Sequence, residues 1–257
     1  MERPNNYPLP YGNQNNRETP VQFSQPAQSM QIFQKYEISP QMAQRLQVLQ
    51  SFKIVFIFDD SGSMNSTDTG VMTRWEELLQ FASASVEIAS VFNSNGSDVY
   101  FLNRPTMRNV RDSSQLSQYF RDRPQGVTPL TRTVQSVINE NPPQALAGKN
   151  LLLVIATDGE PTDPYGNPNI PEFKQCLFNR PSNVFSTIVA CTNDTNAIGY
   201  LNGLDKELPR LDVCDDYRSE FTEIKRSRGP QFPFSFGDYI AKTFIGSIDQ
   251  DFDRSDE

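Results

Sequence analysis

The chain has 257 residues, 37% of them hydrophobic, and a formal charge of −8. That length accommodates one sizeable α/β domain plus tails, and an acidic balance with no basic stripe argues against nucleic acid and against an anionic membrane surface as partners. Histidine is absent altogether, which excludes Ser-His-Asp and Cys-His catalysis and histidine-ligated zinc within this polypeptide.

Along the chain, residues 1–45 are rich in Gln, Asn and Pro. Such a segment cannot bury enough apolar surface to offset its ordering entropy, so it reads as a disordered tail. Towards its end Ile38, Met42, Leu46 and Leu49 have a weak helical spacing that suits packing on a domain edge. The domain itself is read as residues 46–249, followed by an acidic tail, 250–257. Its first strand is Ile54–Phe58, β-branched and aromatic without polar interruption, as in a parallel sheet covered on both faces. Thr73-Arg74-Trp75-Glu76 reads as a capping box opening a helix, with Trp75, Leu78, Leu79, Ala82, Val86 and Ala89 on its apolar face. A short strand follows at 99–102, a short helix at 113–121 and a helix marked by Leu130, Val134, Val137 and Ile138. Residues 151–156 form a second continuous apolar strand and 184–191 a third. A helix is expected over 194–208, a short edge strand at 211–214 and a last helix at 239–248. Strands alternating with helices predict an α/β fold, doubly wound around a mostly parallel sheet.

No apolar run is long enough to span a bilayer, and the N-terminus lacks a charged region followed by an apolar stretch, so a cytoplasmic location is expected. The three cysteines, Cys176, Cys191 and Cys214, have neither pairing nor metal-ligand spacing and read as buried thiols in a reducing compartment.

Chemistry concentrates at three points. Asp59, Ser61 and Ser63 directly follow the first strand, at the end of a parallel strand where ligands sit in open α/β sheets. Thr128 precedes Pro129, which suits a first helical position and so predicts Thr128 as the N-cap. Asp158 follows the strand at 151–156 as Asp59 follows the first. If those strands are neighbours, both carboxylates and Thr128 meet in one crevice. Hard oxygen donors gathered there suit a hard divalent cation, Mg²⁺ before Ca²⁺. Any one of these residues alone is more often a loop or cap residue; the conjunction is what points to a site.

Asp59-Asp60-Ser61-Gly62-Ser63-Met64, with Thr128 and Asp158 downstream, resembles the von Willebrand factor A (vWA) domain and its metal-ion-dependent adhesion site, over roughly residues 50–250. The stretches Arg74-Trp75-Glu76-Glu77, Tyr100-Phe101-Leu102-Asn103 and Asp158-Gly159-Glu160-Pro161-Thr162 look like the intracellular, stand-alone members. The resemblance implies a Rossmann-like fold with one antiparallel edge strand and helices on both faces. It implies metal ligation by the hydroxyls of Ser61, Ser63 and Thr128, with Asp59 and Asp158 contributing carboxylates, often through water. The implied ion is Mg²⁺, with Mn²⁺ or Ca²⁺ as alternatives, and the implied activity is recognition of a protein partner that presents Asp or Glu, not catalysis. Asp60, Met64 and Glu160 are expected at the rim. Two other readings stand beside this one: a metal-dependent phosphoryl-transfer enzyme, for which no phosphate-cradling Gly-rich loop is present, and an assembly subunit with a purely structural metal.

Overall fold

A six-stranded sheet forms the centre of the computed structural model, which describes residues 27–68 and 70–249. Its strands are β1 Phe52–Phe58, β2 Ser97–Phe101, β3 Met107–Val110, β4 Asn150–Thr157, β5 Val184–Ala190 and β6 Leu211–Cys214. They lie in the order β3-β2-β1-β4-β5-β6, with β3 alone antiparallel to its neighbour. The chain therefore winds outward from β1 in both directions. The order reverses between the C-terminal ends of β1 and β4, the place where ligands sit in doubly wound sheets.

Ten helices surround the sheet among the described residues: α1 Ala27–Lys35, α2 Pro40–Arg45, α3 Arg74–Ser90, α4 Ser117–Arg121, α5 Leu130–Glu140, α6 Ile170–Phe178, α7 Thr195–Ile198, α8 Leu204–Glu207, α9 Tyr217–Arg228 and α10 Phe236–Ile245. Side chains alternate across a strand, so the unbroken apolar run of β1 feeds two cores. Ile54, Phe56 and Phe58 pack with Met42, Phe81 and Phe244 of α2, α3 and α10. Val55 and Ile57 pack on the opposite face with Val134, Phe173 and Leu204 of α5, α6 and α8. The capping box that starts α3 is formed: the Glu76 N–H donates to the Thr73 hydroxyl at 3.2 Å and the Thr73 N–H to the Glu76 carboxylate at 2.7 Å. None of the helices among the described residues is long and apolar enough to cross a membrane.

The N-terminal boundary differs from the expectation. Residues 27–45, read as part of a disordered tail, form α1 and α2 and bury Phe33, Ile38 and Met42. Tyr36 donates to Glu87 of α3 at 2.9 Å, and the Ser39 N–H donates to Asp238 of α10 at 2.8 Å. Gly237 permits the approach, since a Cβ there would lie 2.1 Å from the Tyr36 carbonyl oxygen. The edge packing expected of Ile38, Met42, Leu46 and Leu49 is present, and what the glutamine-rich composition hid is α1. The remainder of that tail, 1–26, and the acidic tail 250–257 lie outside the described residues.

Three further differences have local causes. The helix expected over 194–208 is broken into α7, a 3₁₀ turn and α8, because Gly203 adopts φ +80°. Helices α6 and α9 were not legible: α6 opens on a turn-like Asn-Ile-Pro, and α9 buries only Glu220 and Ile224. The short edge strand expected at 211–214 is present as β6, parallel to β5, whereas β3, the antiparallel edge strand on the other side, had no counterpart among the strands expected along the chain.

Candidate metal centre

The site is built by three loops at the C-terminal ends of β1 and β4. In register, Phe58 pairs with Ala156, and the Asp59 N–H continues the ladder to the Ala156 carbonyl at 2.9 Å. Asp59 and Asp158 thus stand side by side at the tips of adjacent strands, both almost wholly buried. The condition set by the sequence, that the two strands be neighbours, is met.

From Asp59 a hydrogen-bonded chain runs through the motif. The Ser61 N–H donates to Asp59 Oδ1 at 2.8 Å, and the Ser61 and Ser63 hydroxyls are 3.0 Å apart. Ser63 then donates to Asp158 Oδ1 at 2.7 Å. Ser61 is buried and Ser63 exposed, so the chain leads from the sheet to the surface. Thr128 is buried and held on its backbone: its N–H donates to the Thr162 hydroxyl at 2.9 Å, and its carbonyl accepts from the Thr162 N–H at 2.8 Å. The loop before it is stitched to the serine loop, with the Gly62 N–H on the Gly126 carbonyl at 3.1 Å and the Gln125 N–H on the Asp60 carbonyl at 2.8 Å. Gly126 has φ +104°, and a Cβ there would lie 2.5 Å from the Asn103 side-chain oxygen, so this crossing requires glycine.

Thr128 is not the N-cap expected from the sequence. Pro129 takes that position, and no side chain caps α5. The Thr128 hydroxyl is therefore not committed to helix capping.

Of the expected rim residues, Asp60 and Met64 are buried. Met64 belongs to the core beneath the loop. Asp60 clamps the loop that follows β2, accepting the Asn103 N–H at 2.8 Å and lying 3.5 Å from Arg104 Nε; burial raises its pKa. Glu160 is half-buried beside Gly159, as a rim residue would be.

Two contributors lie outside the expected donor set. Thr157, the last residue of β4, donates to Asp59 Oδ2 at 2.6 Å. Arg74, the first residue of α3, donates to Asp158 Oδ2 at 2.8 Å. A hydroxyl ending an apolar strand beside the first aspartate was the available signal for Thr157. No local pattern announced Arg74, because its partner is 84 residues away.

Electrostatics sets this site apart from an ordinary polar loop. Burial first, and the neighbouring Asp158 carboxylate second, push the Asp59 carboxyl up to about 7. Both Asp59 oxygens already accept hydrogen bonds, so its charge is available to a cation at one remove. Among the described residues no cluster of three or more acidic or thiol side chains is gathered. What the hydrogen bonds bring together is two carboxylates, Asp59 and Asp158, with the Ser61 and Ser63 hydroxyls, oxygen donors whose chemistry fits a hard divalent ion, and Thr128 stands on the adjoining loop. Burial raises the Cys191 thiol pKa well above its usual value, and the three cysteines are free thiols.

No family model matches the chain, and no curated protein matches it. Among solved structures, it is similar to the manganese-loaded TRAP protein of Plasmodium vivax, at 15% identity and a TM-score of 0.45, over 69% of this chain and 73% of that one. The strand order itself defines a doubly wound α/β sheet with one antiparallel edge strand.

Proposed function

We propose that this chain is a vWA-type interaction module that holds a divalent cation, Mg²⁺ in the cell, at Asp59, Ser61, Ser63, Thr128 and Asp158. The cation would bind an Asp or Glu side chain of a partner protein. The observation that carries this reading is the hydrogen-bonded chain from Asp59 through Ser61 and Ser63 to Asp158, set at the switch point of the sheet over two adjacent buried carboxylates.

The chemistry follows from charge. Hydroxyls would ligate without neutralising, and Asp59, whose oxygens both accept hydrogen bonds, would contribute its charge indirectly. An ion held mainly by neutral oxygens keeps its attraction for an outside anion, and a partner carboxylate completes its coordination. Such a contact is directional and partly desolvated, and so anchors an interface of ordinary size. The reading is recognition, with no bond made or broken.

Selection of displayed peptides on the full chain in Mg²⁺, with elution by EDTA, tests it. Enrichment of peptides whose binding needs one Asp or Glu, and is lost in the Ser61→Ala/Ser63→Ala variant, is the expected result. Peptides that survive EDTA, or that bind equally after Asp→Asn and Glu→Gln replacement, would contradict it.

A further inference from the structure

Arg74 lies outside the donor set, and cation binding by itself does not account for it. Its charge stands in the first turn of α3, the positive end of the helix dipole, where a cation is disfavoured. The guanidinium is nevertheless fixed and only 11% exposed. Nη1 donates to Asp158 Oδ2 at 2.8 Å, while Nε and Nη2 both donate to Asp68 Oδ1, at 3.0 and 2.6 Å. The Arg74 N–H also donates to the Ser66 carbonyl at 2.9 Å, which builds the arginine into the loop that carries the two serines.

Asp158 is therefore divided. Its Oδ1 accepts from Ser63, on the side of the proposed cation, and its Oδ2 accepts from Arg74. A guanidinium and a divalent ion on one carboxylate repel each other, and in a buried setting water screens that repulsion little. Either charge lowers the hold of the carboxylate on the other.

We propose that Arg74 is a tethered counter-ion of Asp158 that competes with the divalent cation, and that Asp68 draws the guanidinium aside as the cation enters, so that the Arg74–Asp68 pair sets the affinity of the metal centre. The inference rests on the metal-binding reading above. It gives the two states of the site distinct jobs for one side chain. Without metal, Arg74 neutralises a buried carboxylate and keeps the loops assembled. With metal, it rests on Asp68 and stays built into the loop, which leaves Asp158 free to face the ion.

The test is calorimetric titration of the full chain with Mg²⁺ and with Mn²⁺, on wild type, Arg74→Gln and Asp68→Asn, with melting temperatures in EDTA and in Mg²⁺. Arg74→Gln is expected to bind either ion about tenfold more tightly, the effect of removing one adjacent like charge. The same variant should melt lower in EDTA and show a larger rise on adding Mg²⁺. Asp68→Asn is expected to shift affinity the other way, because the guanidinium then rests on Asp158 alone. A merely structural ion pair would weaken both variants alike. Equal or weaker binding by Arg74→Gln overturns the role of Arg74 and leaves the metal reading standing. Absence of binding in all three proteins overturns both. Should Arg74→Gln fail to fold, Asp68→Asn still decides, since unchanged or tighter binding there overturns the competition.

Discussion

Two aspartates on neighbouring strands meet opposite fates. Asp98 lies in β2, opposite Val55 of β1, and its side chain is 8% exposed. Lys53 stands 2.9 Å and Arg108 3.2 Å from its Oδ2, and the Asn109 N–H donates to its Oδ1 at 3.2 Å. Burial alone would raise its pKa, but these contacts outweigh it and the net shift is downward. Asp59, at the far end of β1, is buried next to a second carboxylate, and its pKa moves up to about 7. One charge faces two cations of its own sheet, while the other has hydrogen bonds and, among the described residues, no ion pair. A buried charge that the fold has balanced serves stability, and one raised by burial beside a like charge is a candidate for balance from outside, the role proposed above for a cation.

The largest expected effect falls on Asp98. Asp98→Ala should destabilise the protein by about 2 kcal/mol, lowering the melting temperature by roughly 4–8 °C. The figure stays below that of a fully buried pair because Lys53 and Arg108 can turn to water. An unchanged melting temperature would break the comparison at once. At the other site Thr157→Val keeps the shape and removes the donor to Asp59, leaving a buried carboxylate oxygen unpaired. A loss of about 1–2 kcal/mol in EDTA at neutral pH is expected, read by urea denaturation.

How much of this contrast was legible in the sequence depends on range. Asp59, Ser61, Ser63 and Asp158 could be placed because each directly follows a strand whose apolar run announces its own end. Thr128 was placed in the right loop with the wrong local role, since the Pro129 backbone, not Thr128, became the cap. The ion pairs of Asp98 and the reach of Arg74 could not be read, because they depend on strand register and on contacts across long stretches of chain. The same holds for α1, whose few apolar residues count only once α3 is there to receive them, whereas the helical spacing around Met42 did announce α2.

Opposite in sign is Asp59→Asn in EDTA. Its oxygen can keep the Ser61 N–H and its amide can donate to Thr157, while the repulsion with Asp158 is gone. A gain of about 1 kcal/mol is expected, where Asp98→Asn should lose stability. A loss for both variants would mean that the two sites are not different in kind.

The smallest effect is in the pH dependence. Asp59 has a raised folded-state pKa, so its destabilising contribution is absent below its ordinary value near 3.8 and grows as pH rises towards about 7. The stability advantage of Asp59→Asn over wild type should therefore be near zero at acid pH, increase across that window and level off above it. Asp98, with a lowered pKa, contributes stability above its ordinary value that is lost only as pH falls through its folded-state value. The difference between Asp98→Asn and wild type should accordingly be flat at neutral pH and shrink in acid. Parallel urea titrations across pH would resolve the two profiles.

The central claim is that the carboxylate charge at the tips of β1 and β4 is there for a divalent ion. Electron paramagnetic resonance of free Mn²⁺, titrated against the full chain, tests it most directly. The account predicts that wild type removes Mn²⁺ from the free signal at a single saturable site, that Mg²⁺ competes for it, and that Asp59→Ala and Ser61→Ala/Ser63→Ala abolish it. A free signal unchanged by wild type, or reduced equally by wild type and both variants, would contradict it.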